Sequence, residues 1–166
     1  MTRRTADLDK AMKCRSDDPQ RALEIANRYI TKNPHDPLGY FSRHLTLRHL
    51  GEYKRALADC DRSMELGPHH GTYMCRGVLH RALGDHARAL ADFNHARDLN
   101  YQDWLTSFGP HFRADTLARL GRLNEALADC ELIREDHWMP EHSGLPGGNK
   151  QQFIAEIKRR AAATRG

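Results

Sequence analysis

The sequence has little of what catalytic and metal sites usually require. Its four cysteines, Cys14, Cys60, Cys75 and Cys130, form no C-x-x-C pair, which excludes a zinc ribbon or a thioredoxin-like centre. H-E-x-x-H is missing, and so is the phosphate-cradling G-x-x-x-x-G-K-[ST]; the L-P-G-G before Asn149 is too short to replace it. Histidine is plentiful, yet His69, His70, His137 and His142 make no set of four ligands with other side chains, which argues against zinc. The expectation is therefore no catalytic residues, no metal and no cofactor.

Other absences bound the class. No apolar run is long enough to span a bilayer. The first stretch, MTRRTADLDKAMKCRSDD, lacks the apolar middle of a secretory signal, so the expected location is cytoplasmic, with reduced thiols. Aromatic residues are only 7% and do not alternate with basic ones, which speaks against single-strand nucleic-acid binding. The net charge of +4 gathers toward the ends, in Arg3, Arg4, Lys158, Arg159, Arg160 and Arg165, and reads as solubility. Glycine, proline and serine are not enriched, so an ordered chain is expected.

What the sequence does have is repetition. LGEYKRALADCD (50–61), LGDHARALADFN (83–94) and LGRLNEALADCE (120–131) are near copies. With Gly51, Gly84 and Gly121 as rulers, an alanine follows five residues later in each: Ala56, Ala89 and Ala126. Nine residues later come Cys60, Phe93 and Cys130, and twelve later Ser63, Ala96 and Ile133. Steps of four and three put these on one helical face, with an alanine where another helix must approach closely. Before the glycines, Tyr40 and Tyr73, then His44, Gly77 and Ala114, then Leu47, His80 and Leu117 form a second stripe. Each glycine therefore separates two amphipathic helices and supplies the permissive backbone that ends the first. Cys60 and Cys130, at the position of Phe93, read as small core fillers, as His44 and His80 read as structural. A weaker early copy, DDPQRALEIANRYITKNP, carries Ala22, Ala26, Tyr29 and Pro34, with Asp17 at the ruler position.

This period near 34 residues, with its helix–turn–helix unit, resembles the tetratricopeptide repeat family. YMCRGVLHRALGDHARALADFNHARDLN (73–100) is similar to bacterial-type repeats, with R-G in the first helix and A-D-F in the second. The resemblance implies an all-α, right-handed superhelix of about four stacked antiparallel helix hairpins with a C-terminal capping helix. The expected array spans 1–138, in units 3–36, 37–69, 70–103 and 107–138. A loop at 139–148 and a capping helix at 149–166 follow, the helix opened by Asn149 and bearing Phe153, Ile154, Ile157 and Ala161 on one side. The alternative for that helix is a detachable arm. In the fourth unit Pro110 replaces the tyrosine and NYQDWLTSFG adds residues, so its first helix is expected to start late or to carry an added turn.

An arginine stands eight residues before each clear glycine, Arg43, Arg76 and Arg113; an aspartate stands eight after, Asp59, Asp92 and Asp129. A partly buried arginine normally needs a carboxylate, so bridges within units are favoured over a ligand-binding ladder.

The resemblance also implies a binding surface: the hollow lined by the first helix of each unit. Its lining positions lie thirteen, ten, six and three residues before the ruler. They are Leu38, Phe41, Leu45 and Arg48 in the second unit, and Gly71, Met74, Val78 and Arg81 in the third. The fourth offers Phe108, His111, Asp115 and Ala118, and the first Arg4, Asp7, Ala11 and Cys14. Phe41, Leu45, Met74 and Val78 would form an apolar floor edged by Arg48 and Arg81, with His49 near and Cys75 the thiol closest to it. Such a hollow suits a protein or peptide partner with a hydrophobic anchor and an acidic group or C-terminus. Two expectations result: a non-catalytic adaptor, or a homo-oligomeric module whose groove receives a terminal helix. The alternative to a binding surface is that these residues pack between neighbouring repeats or under the C-terminal helix.

Overall fold

The computed structural model describes residues 3–67, 70–135, 144–145 and 147–164. Ten helices are found among them: α1 (Arg3–Cys14), α2 (Pro19–Lys32), α3 (Pro37–His49), α4 (Tyr53–Leu66), α5 (His70–Ala82), α6 (His86–Leu99), α7 (Tyr101–Thr106), α8 (Gly109–Arg119), α9 (Leu123–Glu131) and α10 (Lys150–Ala163). Among the described residues there is no strand, only isolated bridge residues at Leu145 and Gly148.

The ruler glycines end helices as their spacing predicts. Gly51, Gly84 and Gly121 have φ of 75°, 82° and 74°, left-handed backbone in which a side chain would crowd the following carbonyl. Each closes its helix with one repeated bond. The N–H groups of Glu52, Asp85 and Arg122 donate to the carbonyls of Leu47, His80 and Leu117, each at 2.9 Å. These are Schellman closures, which satisfy carbonyls the helix leaves without partners. A Cβ at Gly84 would meet nothing within 4 Å, so Gly84→Ala isolates the backbone term. We expect it to cost about 1–2 kcal/mol in urea denaturation; an unchanged midpoint would contradict the assignment.

Helix starts are equally local. The side chains of Asp18, Asp36 and Asp85 accept the N–H of Arg21, Leu38 and Arg88, and prolines open α2 and α3.

Packing divides the chain into two units, Met1–Leu79 and His80–Gly166, with α5 running across the division. In the first, α1 pairs with α2, α3 pairs with α4, and α2 stacks against α3. Ala22, Ala26 and Ala56 are fully buried, which lets the helix axes approach. Gly39 serves the same end: a Cβ there would meet the side chains of Tyr29 and Ile30 at 2.9 Å. Leu23, Leu47, Ala56, Cys60 and Leu79 form the core, with Cys75 packed at its edge.

In the second unit α6 and α9 both pack on α8. The extra residues before the fourth unit form a helix of their own, α7, capped by Asn100. Trp104 from α7 is fully buried. It fits because Gly109 has no side chain: a Cβ there would lie 2.5 Å from both the indole Nε1 and the carbonyl of Trp104. The C-terminal helix α10 packs on α8 and α9, burying Phe153, Ile157 and Ala161. Asn149 caps it with a full capping box, its side chain accepting from Gln152 and its N–H donating back to that residue.

Arginine–aspartate bridges cross the hairpins. Asp59 receives Arg43 in bidentate fashion, at 2.8 and 2.6 Å, and Asp129 receives Arg113 at 2.5 Å. Arg76 reaches Asp61 at 2.8 Å, and Asp92 lies 3.9 Å from His80 Nε2. Asp129 is unusual because its Oδ2 is buried without a hydrogen-bond partner among the described residues. Burial raises its pKa to about 6, against the opposing charges of Arg113 and Arg97. A carboxyl raised in the folded state contributes stability below its unfolded pKa and loses it as pH rises through the folded value. Stability should thus fall between about pH 4 and 6 from this group. Chemical denaturation across that range should show the fall in the wild type and a flatter profile in Asp129→Asn; equal slopes would contradict it.

Candidate functional site

The expected lining positions meet different fates in the two units. On α3, Leu38, Phe41, Leu45 and Arg48 fall on one face through steps of three, four and three. Leu38 is 45% exposed, on a helix that also carries six buried residues. Phe41 is half-buried and meets His44 edge-on, with ring centroids 4.8 Å apart. Leu45 is buried, Arg48 is half-buried and His49 is exposed. In the part of α5 that belongs to the same unit, Met74 is half-buried and Val78 buried. Cys75 beside Met74 is half-buried, and burial pushes its thiol pKa up to about 11 despite the nearby charges of Arg48 and Arg15. Such a shift favours the protonated thiol at neutral pH.

In the second unit the corresponding residues are brought together and then covered. Arg81, His111 and Asp115 are all buried. Asp115 is completely inaccessible and accepts from three arginines: Arg81 Nη1 at 2.5 Å, Arg119 Nε at 3.0 Å, and Arg160 Nη1 from α10. Burial pulls the Arg81 pKa down, and Asp115 offsets part of that penalty. Arg160 also binds Glu156, whose carboxyl is held at about 2 by hydrogen bonds from Arg159 and Arg160. The His111 ring sits edge-on to Phe153, centroids 5.4 Å apart. Lys150 adds a tie from the start of α10 to Glu135, at 2.9 Å, beyond the end of α9. This face of α8 is therefore occupied by the chain's own helix, through an aromatic contact and an ionic hub. Of the hub, spacing picks out only Arg81 and Asp115. Arg119, Glu156 and Arg160 lie outside the repeated lining positions.

Burial also raises the thiol pKa values of Cys60 and Cys130, the latter to about 12. Among the described residues, no group of three or more His, Cys, Asp or Glu side chains could hold a metal ion. His69, His137 and His142 lie outside the described residues. Among the described residues no helix is long and apolar enough to cross a membrane.

No protein-family profile matches the sequence, and no curated protein does. Solved structures do match its fold. A crystal structure of MamA protein superposes with a TM-score of 0.71 at 14% identity, covering 98% of this chain and 84% of that one. YrrB, described as a TPR protein with an unusual peptide-binding site, gives 0.67 at 20% identity, covering 95% and 80%. The first TPR of Spaghetti (RPAP3), bound to the HSP90 peptide SRMEEVD, gives 0.59 at 19% identity, covering 75% and 93%. With glycine-ruled helix hairpins and these likenesses together, the chain has the tetratricopeptide-repeat fold.

Proposed function

We propose that this protein is a non-catalytic interaction module whose binding surface is the face of the first unit carrying Leu38, Phe41 and Met74, edged by Arg48 and His49. The observation that carries this reading is the contrast between equivalent faces. On α8, His111 and Asp115 are buried against Phe153 and Arg160 of α10, whereas on α3 Leu38 stays 45% exposed and Phe41 only half-buried. Exposed apolar groups rimmed by polar ones mark interaction sites, and a helical or extended protein segment fits such a face. Two of the matched folds are described with peptides or a peptide-binding site, which agrees with this use of the fold. Self-association through a terminal helix has less support, because the apolar side of α10 is already buried against its own chain.

The test is affinity capture of partners from the native cell extract, quantified against melting temperature. Phe41→Ala and Met74→Ala should leave the melting temperature nearly unchanged and each weaken capture by about 1 kcal/mol or more, the size expected of an anchor. Arg48→Ala should also weaken capture, with a smaller difference at high salt. Variants that unfold, or that keep capture intact, would overturn the assignment of the faces. Variants that split a dimer would favour self-association.

A further inference from the structure

The two units differ in charge where their lining faces correspond. Among the described residues, almost every arginine that is buried or half-buried has a carboxylate: Arg43 has Asp59, Arg62 has Glu65, Arg76 has Asp61, Arg97 has Asp98, Arg113 has Asp129, and Arg81, Arg119 and Arg160 share Asp115. Arg15 and Arg48 are the exceptions. Both are half-buried, and neither makes an ion pair among the described residues. Arg15 follows the end of α1, which packs on α3, and its Nη1 rests 3.6 Å from Met12 Sδ. Burial lowers the Arg15 pKa, and the charge of Arg48 lowers it further, so two like charges share this end of the face.

The repeat explains the missing carboxylate. Arg81 stands three residues before its ruler glycine, and its acceptor, Asp115, stands six before the next one. Arg48 holds the Arg81 position one unit earlier, and there the acceptor position is Val78. The acidic socket that holds Arg160 of α10 therefore has no counterpart in the first unit. At the position of Asp115, α3 itself carries Leu45.

We infer that the α3 face of the first unit takes an acidic amphipathic segment of another protein, its carboxylates meeting Arg15 and Arg48 and its apolar side meeting Phe41 and Leu38, and that it rejects the chain's own basic α10. This rests on the reading of that face as a binding surface and gives it a charge preference. A second copy's α10 would bring Lys150, Lys158, Arg159 and Arg160 toward two arginines that have no counter-ion among the described residues, a costly like-charge approach.

The experiment uses the full chain and two labelled synthetic peptides. One is the 14-residue α10 sequence, KQQFIAEIKRRAAA. The other has Glu at the positions of Lys150, Lys158, Arg159 and Arg160. Fluorescence anisotropy at low salt should show the acidic peptide binding at least about tenfold more tightly, a difference of about 1.4 kcal/mol. The Arg15→Ala/Arg48→Ala double variant should abolish that preference. Equal binding of the two peptides, binding of neither, or a preference that survives the double variant would overturn the inference. Acidic-peptide binding lost in Phe41→Ala but retained in the arginine variant would keep the binding face and remove its charge preference. Binding indifferent to both would remove the face as well.

Discussion

Replacing Asp115 with alanine is expected to cost about 3–5 kcal/mol, the range for breaking a buried ion pair by removing one partner. The carboxylate is fully inaccessible and accepts from Arg81, Arg119 and Arg160. Its loss leaves Arg81, with a side chain only 5% exposed, without its acidic partner. It also frees the tie that holds α10 to α8. Urea denaturation followed by circular dichroism reads the cost, and amide exchange in α10 shows whether that helix loosens first. Replacing both ends with apolar residues, as in Arg81→Met with Asp115→Leu, should recover much of the loss, because a buried pair repays its desolvation poorly. An Asp115→Ala protein as stable as the wild type would mean that the hub contributes nothing to the fold.

Phe153→Ala should be comparably severe, about 3–5 kcal/mol for a large aromatic removed from a buried site. Phe153 is 1% exposed and borders His111, while Ile157 and Ala161 continue the same stripe onto α8 and α9. Removing residues 149–166 altogether should lower solubility as well, since the surface of α8 and α9 that receives Phe153, Ile157 and Ala161 would face water. Phe41→Ala, on the equivalent face of the first unit, serves as the internal control, with little change in stability expected. If Phe153→Ala were silent, α10 would be a free arm.

The difference between these two faces was only partly legible in the sequence. Local rules carried the helices: the glycines at 51, 84 and 121, the alanines five residues on, and Asn149 ahead of Phe153 all state backbone needs that neighbouring residues satisfy. The hydrophobic stripe of α10 and its role as a cover were legible for the same reason. The ionic hub was not. Repeat arithmetic finds pairs at fixed offsets within a unit, as it found Arg43 with Asp59 and Arg113 with Asp129. Arg160 reaches Asp115 across 45 residues from a segment present in one copy, where no period applies. The same limit placed Arg81 beside Arg48 at the edge of one hollow, because the two share an offset. What separates them is the residue at the acceptor position one unit on, Asp115 in one case and Val78 in the other. The separate helix α7 escaped for a related reason. The NYQDWLTSFG stretch broke the period, and the fit of Trp104 against Gly109 depends on the absence of a Cβ at Gly109.

The most direct test of the proposed division of labour, an open face on the first unit and a self-covered face on the second, is residue-resolved NMR mapping of the full chain. The acidic variant of the α10 peptide would be added while the backbone amides of α3, α5, α8 and α10 are followed. The account predicts perturbations around Phe41, Arg48 and Met74 and near Arg15, with the amides of α8 and α10 unmoved. Perturbations centred on His111 and Asp115 with release of α10, and none on α3, would contradict it.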